Sequence, residues 1–299
     1  MSELLIKNPN GFEFGYTAIT TLFPENGRAI LCIITHNLKF IIYIGYEIGN
    51  KFPKNPQALH AALDPLNLQI ASQWFSTYFT ESNQFIKTME SFEKHMNFLK
   101  AMGAEIIVVC ECGHAIHRKN EPLFDNKPVF SAAQWKQLIV GLHEMGKLAQ
   151  DNGMCMVYHE HMGTGVQSEA ELHHLMDETN PQLVSLLIDT AHITFAGGDP
   201  IRLIHQYGKR IKHVHLKDLR KNVMGHVRPK KWSFLEAVRQ GVFTIPGDGF
   251  IDYQPIFSAL AEQQYHGWFI VEAEQDPKKA NPFTYAKNAR RFIQTMTGL

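Results

Sequence analysis

The feature that most constrains this chain is the texture of its apolar runs. Phe40–Glu47, Leu68–Phe75, Glu105–Cys112, Met154–His161, Leu183–Asp189, Ile211–Lys217 and Trp268–Glu274 are short and rich in β-branched and aromatic residues. Most are apolar throughout rather than at every second position. A strand of that kind is covered on both faces, as in a parallel sheet flanked by helices. Longer segments of helical spacing lie between the runs. Ser91–Met102 is one; Ser131–Asn152 opens on an N-capping serine and stops before Gly153. Further helices are expected from about Ser168, from Asp199-Pro200, over Ser233–Arg239 and over Thr284–Gln294. With Phe12–Thr17 as a weaker eighth strand, the 299 residues match an α/β chain folded as one (β/α)8 barrel, whose usual size is about 250 residues. An open doubly wound sheet is the alternative. No GxGxxG follows the first strand and no GxxxxGK[ST] occurs, so nucleotide binding is not the organising function. No linker or repeat divides the chain, so a single domain over 1–299 is expected.

Composition narrows the partners. Twenty-nine basic residues balance 29 acidic ones, which argues against nucleic acid and against a charged membrane surface. No apolar run reaches the ~20 residues of a membrane span, and the N-terminus lacks the pattern of a signal peptide. A cytoplasmic protein is expected. Cys32, Cys110, Cys112 and Cys155 are too few and wrongly spaced for a disulfide scaffold or a zinc knuckle, and are expected to be reduced and buried.

The 16 histidines are the unusual count. Chemistry in a parallel barrel sits at the C-terminal ends of the strands. The fifth run ends in His159-Glu160-His161 and the sixth in Asp189-Thr190-Ala191-His192. The seventh carries His213, His215 and Lys217 on one face, and the last carries Glu272 and Glu274 on one face. Charged groups are rarely buried unless paired or bound to metal. Carboxylates and imidazoles at four consecutive strand ends therefore point to one metal centre, with N/O donors suited to Mn, Co, Zn or Fe. Each residue alone has a plainer reading: His213 as a hydrogen-bonded core residue, Asp189 as a cap, Glu160 in an ion pair. His173 and His174 belong to a solvated helix face; His114 and His117 follow the fourth strand and are placed to line a pocket.

At these residues a resemblance enters. YHEHMGTGVQSEAE, LLIDTAHITFAGGDP, RIKHVHLKDLR, FTIPGDGFIDY and GWFIVEAEQDPKKANP, in that order, resemble the inosose dehydratase family of the xylose-isomerase-like TIM barrel superfamily. The likeness runs from about Gly45 to the C-terminus, and Glu111 and His117 of the fourth-strand region also fit. It implies a hydro-lyase of inositol catabolism that removes water from 2-keto-myo-inositol (scyllo-inosose) to give a trihydroxycyclohexane-1,2-dione. It also implies a divalent metal, Mn or Co with Zn or Mg as substitutes, and a requirement for glutathione. Carried over by position, Asp189, His215 and Glu272 are metal ligands. The fifth-strand ligand lies among His159, Glu160 and His161, with His161 favoured. Residues 11–44 depart from the family pattern, so the contacts of the first strand and helix are not carried over.

Dehydration beside a ketone requires a base for the α-proton and an acid for the leaving hydroxyl. His192 or Lys217 is expected to move protons, the lysine in its neutral form beside a cation. Glu274 is a second candidate base. Arg220 and Gln275 are expected to bind hydroxyls, with Glu111, His117 and His159 contacting substrate and Trp74 packing on the ring. The partner is a small polyol ketone; a homo-oligomer is left open. A sugar isomerase or epimerase of the same superfamily is the alternative activity.

Overall fold

The computed structural model describes residues 13–17, 43–49 and 52–298. Eight parallel strands close into a barrel. They are β1 (Glu13–Thr17), β2 (Gly45–Ile48), β3 (Gln69–Thr77), β4 (Ile106–Glu111), β5 (Cys155–His159), β6 (Ser185–Asp189), β7 (Ile211–Leu216) and β10 (Trp268–Val271). Each pairs with the next in chain order, and β1 closes the ring by pairing with both β2 and β10. The open-sheet alternative is thereby excluded. The start of the expected second strand, at Phe40, and Cys32 lie outside the described residues.

The helices follow from local signals. α1 spans Pro56–Leu63 and α2 Phe85–Ala101. α2 begins earlier than its spacing indicated, because Gln84 at its start makes no side-chain cap that the sequence would reveal. α3 (Ala132–Asp151) and α4 (Glu169–Glu178) open on capping boxes, Ser131 with Gln134 and Ser168 with Glu171. α5 (Thr190–Phe195) follows directly on β6, with Asp189 as its N-cap. α6 (Pro200–Tyr207) is capped by Asp199, and α7 (Lys221–Val227) and α8 (Phe234–Arg239) follow β7. α9 (Tyr253–Glu262) precedes β10, and α10 (Pro282–Thr297) ends at Gly298 in the left-handed conformation. Two short strands unforeseen from sequence, β8 (Asp218–Leu219) and β9 (Phe243–Thr244), pair antiparallel after β7.

The main core lies between barrel and helices and contains Phe92, Leu142, Leu172, Leu203 and Ile293. Inside the barrel, Val108, Val157 and Leu187 pack together. Gly45 lets Trp268 fill that interior: a Cβ there would meet the indole at 2.7 Å. Interior packing is thus apolar at mid-strand and polar above. A second apolar cluster, including Met162, Ala191, Leu219, Phe234 and Phe243, builds up the C-terminal face beyond β5, β6 and β7. Several strands are shorter than expected, and three of them end before their expected polar last residues: β5 stops at His159, β7 at Leu216 and β10 at Val271. Their polar last residues reach past the ladder into the mouth.

Candidate active site

Parallel register brings the polar residues to one level. Asp189 of β6 is the register partner of His215 of β7, and Ile270, two residues before Glu272, partners the same histidine. His215 Nδ1 lies 3.0 Å from Glu272 Oε2 and 3.6 Å from Asp189 Oδ2. From β5, His159 Nε2 approaches Asp189 Oδ2 to 3.8 Å. Lys217 Nζ stands among three carboxylates, 3.3 Å from Asp189, 2.9 Å from Glu272 and 2.9 Å from Glu274. All of this is buried or nearly so.

Burial works against the Lys217 ammonium, but Asp189, Glu272 and Glu274 outweigh it and hold its pKa well above the ordinary lysine range. In this set of charges the ammonium form is the favoured one. His215 is likewise raised, burial being outweighed by Glu47, Asp189 and Glu272. His159 is pushed down chiefly by burial and stays neutral. Glu160, fully buried, has its pKa raised by burial and by the Asp189 charge, and lies 3.8 Å from His159 Nδ1.

The three residues that competed for the fifth-strand position are separated. His159 joins Asp189 and His215 in a group whose donor atoms lie within 4.8 Å of one another. His161, the favoured ligand, instead joins His192 and Glu274. The reason is local: β5 ends at His159, and the following turn, with Gly163 at φ +80 against the His117 backbone, redirects the chain. A metal fits the first group. Among the described residues, Asp189 Oδ2 and His215 Nδ1 are buried without a hydrogen-bond partner, a costly state that a cation would relieve.

Hydrogen bonds fix the tautomers of the second group. His161 Nδ1 is 2.9 Å from the Met162 carbonyl, so it carries the proton and Nε2 keeps its lone pair. His192 Nδ1 accepts from the Met162 N–H at 3.3 Å, so its Nε2–H donates to Glu274 at 3.1 Å. His192 is therefore a donor with its lone pair occupied, and Glu274 accepts from both His192 and Lys217. Trp74 stands edge-on to His159 and His161 with centroids 5.5 and 5.4 Å away, and His117 and Phe234 flank His161 at 5.3 and 5.2 Å. Burial lowers the His117 pKa to about 3, so it is neutral. These rings make an apolar wall beside a polar floor.

Three of the expected substrate contacts carry hydrogen bonds within the protein. Glu111 accepts from Thr77 Oγ1, Thr80 Oγ1 and the backbone N–H groups of Phe79, Thr80 and Gly113. Arg220 donates to the carbonyls of Gly241 and Phe243, to Thr244 and to Asp248. Gln275 donates to Phe243 O and Thr244 Oγ1. All three thus tie together segments around the site, and Gln275 Oε1 is left without a hydrogen-bond partner. His173 contacts Glu169 and Tyr207, His174 packs on Trp135, and His114 reaches the Thr80 carbonyl, away from the cluster. Sequence reading missed Glu47. It sits at the end of β2 and meets His213 Nε2 at 2.7 Å and His215 Nε2 at 3.1 Å. Its signal was a charged residue closing an apolar strand, the same signal used for the later strands.

Among the described residues no helix is long and apolar enough to cross a membrane. A family model described as xylose isomerase-like TIM barrel matches residues 13–296. An inosose dehydratase of Bacillus cereus (strain AH820) is 53% identical over 256 residues, covering 85% of this chain and 86% of that protein. The solved structure of a xylose isomerase-like TIM barrel/4-hydroxyphenylpyruvate dioxygenase fusion protein superposes with a TM-score of 0.73 at 15% identity, over 95% of this chain and 42% of that one. The probable 3-DHS dehydratase of Bacillus anthracis involved in petrobactin synthesis superposes at 0.71 and 16% identity, over 95% and 98% of the two chains. At those identities the structures speak for the fold, while the B. cereus protein speaks for the family. The chain belongs to the xylose isomerase-like TIM barrel family and, within it, to the inosose dehydratase family of hydro-lyases.

Proposed function

We propose that the protein is a divalent-metal-dependent dehydratase acting on 2-keto-myo-inositol, with His159, Asp189, His215 and Glu272 as the metal-holding residues. The observation that carries this reading is the buried convergence of His159, Asp189 and His215 at adjacent strand ends, their ligand atoms within 4.8 Å of one another and Asp189 Oδ2 and His215 Nδ1 without a hydrogen bond. N/O donors of this kind suit Mn or Co. An ion held there would supply Lewis-acid polarisation of the substrate carbonyl and orient the neighbouring hydroxyl.

The chain's own residues supply the proton transfers. His161 is buried, its pKa is lowered mainly by that burial, and its unprotonated Nε2 is the base for the α-proton. Lys217 is the acid: its ammonium donates to the departing β-hydroxyl, which leaves as water. Glu274 holds Lys217 and the His192 Nε2–H in place. Trp74, His117 and Phe234 exclude water and present a flat wall to the ring's apolar face.

The test is product identity. Purified protein with Mn2+ and scyllo-inosose should give the absorbance of a conjugated dione product together with loss of one water by mass. A product of unchanged mass would instead establish an isomerase or epimerase using the same cluster.

A further inference from the structure

We propose that Glu47 is a positioning residue that fixes which nitrogen His215 offers to the metal. This rests on the metal reading above. Glu47 is buried at the end of β2, far in sequence from the histidines it holds. Its Oε1 accepts from His213 Nε2 at 2.7 Å, and its Oε2 lies 3.1 Å from His215 Nε2. One carboxylate thus hydrogen-bonds His213 and stands at ion-pair distance from His215.

The backbone builds this arrangement. The β2–β3 register slips by one residue between Tyr46 and Glu47, and the β6–β7 register slips just before His213. A slip of this kind re-aims the side chains that follow it. Here it brings Glu47 onto the Nε2 side of both rings, while His215 Nδ1 faces Glu272 and Asp189.

The consequence is a choice of tautomer. With Nε2 facing Glu47 and Nδ1 facing Glu272 and Asp189, a neutral His215 bound to a cation offers the Nδ1 lone pair and keeps its proton on Nε2. An imidazole ligand whose second nitrogen is bonded to a carboxylate is both oriented and made more basic, and losing that partner typically weakens metal binding 10–100-fold.

The experiment uses the full chain in three forms, wild type, E47Q and H215A, each stripped of metal and titrated with Mn2+ by calorimetry. Wild type should bind, H215A should lose binding, and E47Q should bind about 10–100-fold more weakly. The Co2+-loaded E47Q protein should also show a shifted visible spectrum, which a purely structural role would not produce. A second measurement needs no variant. In 15N-histidine-labelled, Zn2+-loaded wild type, His215 should carry its proton on Nε2. E47Q binding Mn2+ as tightly as wild type with an unchanged Co2+ spectrum, or a proton on Nδ1 of His215, overturns the inference about Glu47 alone. Failure of wild type to bind, or equal binding by H215A, overturns the metal reading and this inference with it.

Discussion

Two buried carboxylates at the ends of the strands flanking β5, Glu111 on β4 and Asp189 on β6, do opposite things. Glu111 accepts hydrogen bonds from two hydroxyls and three backbone N–H groups, and pins the loops after β3 and β4. Asp189 uses only Oδ1 in this way, capping Ala191 and His192, and leaves Oδ2 facing His159, His215 and Lys217. Position and burial are alike; the number of occupied lone pairs is not. A carboxylate whose acceptors are all filled belongs to the architecture, and one with a buried open acceptor beside cations and imidazoles belongs to the chemistry.

That contrast can be broken experimentally, most sharply at the open side. D189N should abolish stoichiometric metal binding and reduce turnover by more than about a thousandfold, since several kcal/mol of charge stabilisation is lost. Metal analysis beside kcat checks this. H161A should keep the metal but lose roughly 10²–10⁴ in kcat through removal of the base, and a pH-rate profile should lose its acidic limb. H192A with unaltered metal content should fall less than H161A, because its free nitrogen is already bonded. At the filled side, E111A should leave metal affinity unchanged and cost on the order of 3 kcal/mol of stability by stranding buried N–H groups. Thermal unfolding should then show a drop of roughly 5–10 °C.

The smallest effect is remote from both. His95 on α2 packs against Phe75, and burial lowers its pKa to about 4 from 6.5. A depressed folded-state value means that the unfolded chain takes up the proton first, so this contribution is complete above pH 6.5 and fades as the pH falls toward 4. H95F should flatten the acid side of the stability curve without touching metal binding, as read from melting temperatures across that window.

The barrel was legible because strands covered on both faces leave an apolar signature that solvent-facing strands do not. The charged residues of the site were legible for a related reason: Asp189, His215, Lys217, Glu272 and Glu274 interrupt apolar runs at their ends. What sequence spacing could not resolve is where a strand stops. His161 looked equivalent to His159 by period-two alternation, yet β5 ends between them and the turn carries His161 to Glu274 and His192. Nor could it reveal which polar groups bond one another across the fold: Glu111 meets Thr80, Arg220 meets Asp248 and Gln275 meets Phe243. Nor could it show that three carboxylates, from the two strands flanking β7, converge on Lys217.

The central claim is that one ion held by His159, Asp189, His215 and Glu272 enables dehydration. The most direct measurement titrates metal-stripped wild-type protein with Mn2+ while following dione formation from scyllo-inosose. The account predicts no turnover in the stripped protein and a linear rise that saturates at about one ion per chain. Full turnover in the presence of excess chelator, or turnover that does not track bound metal, would contradict it.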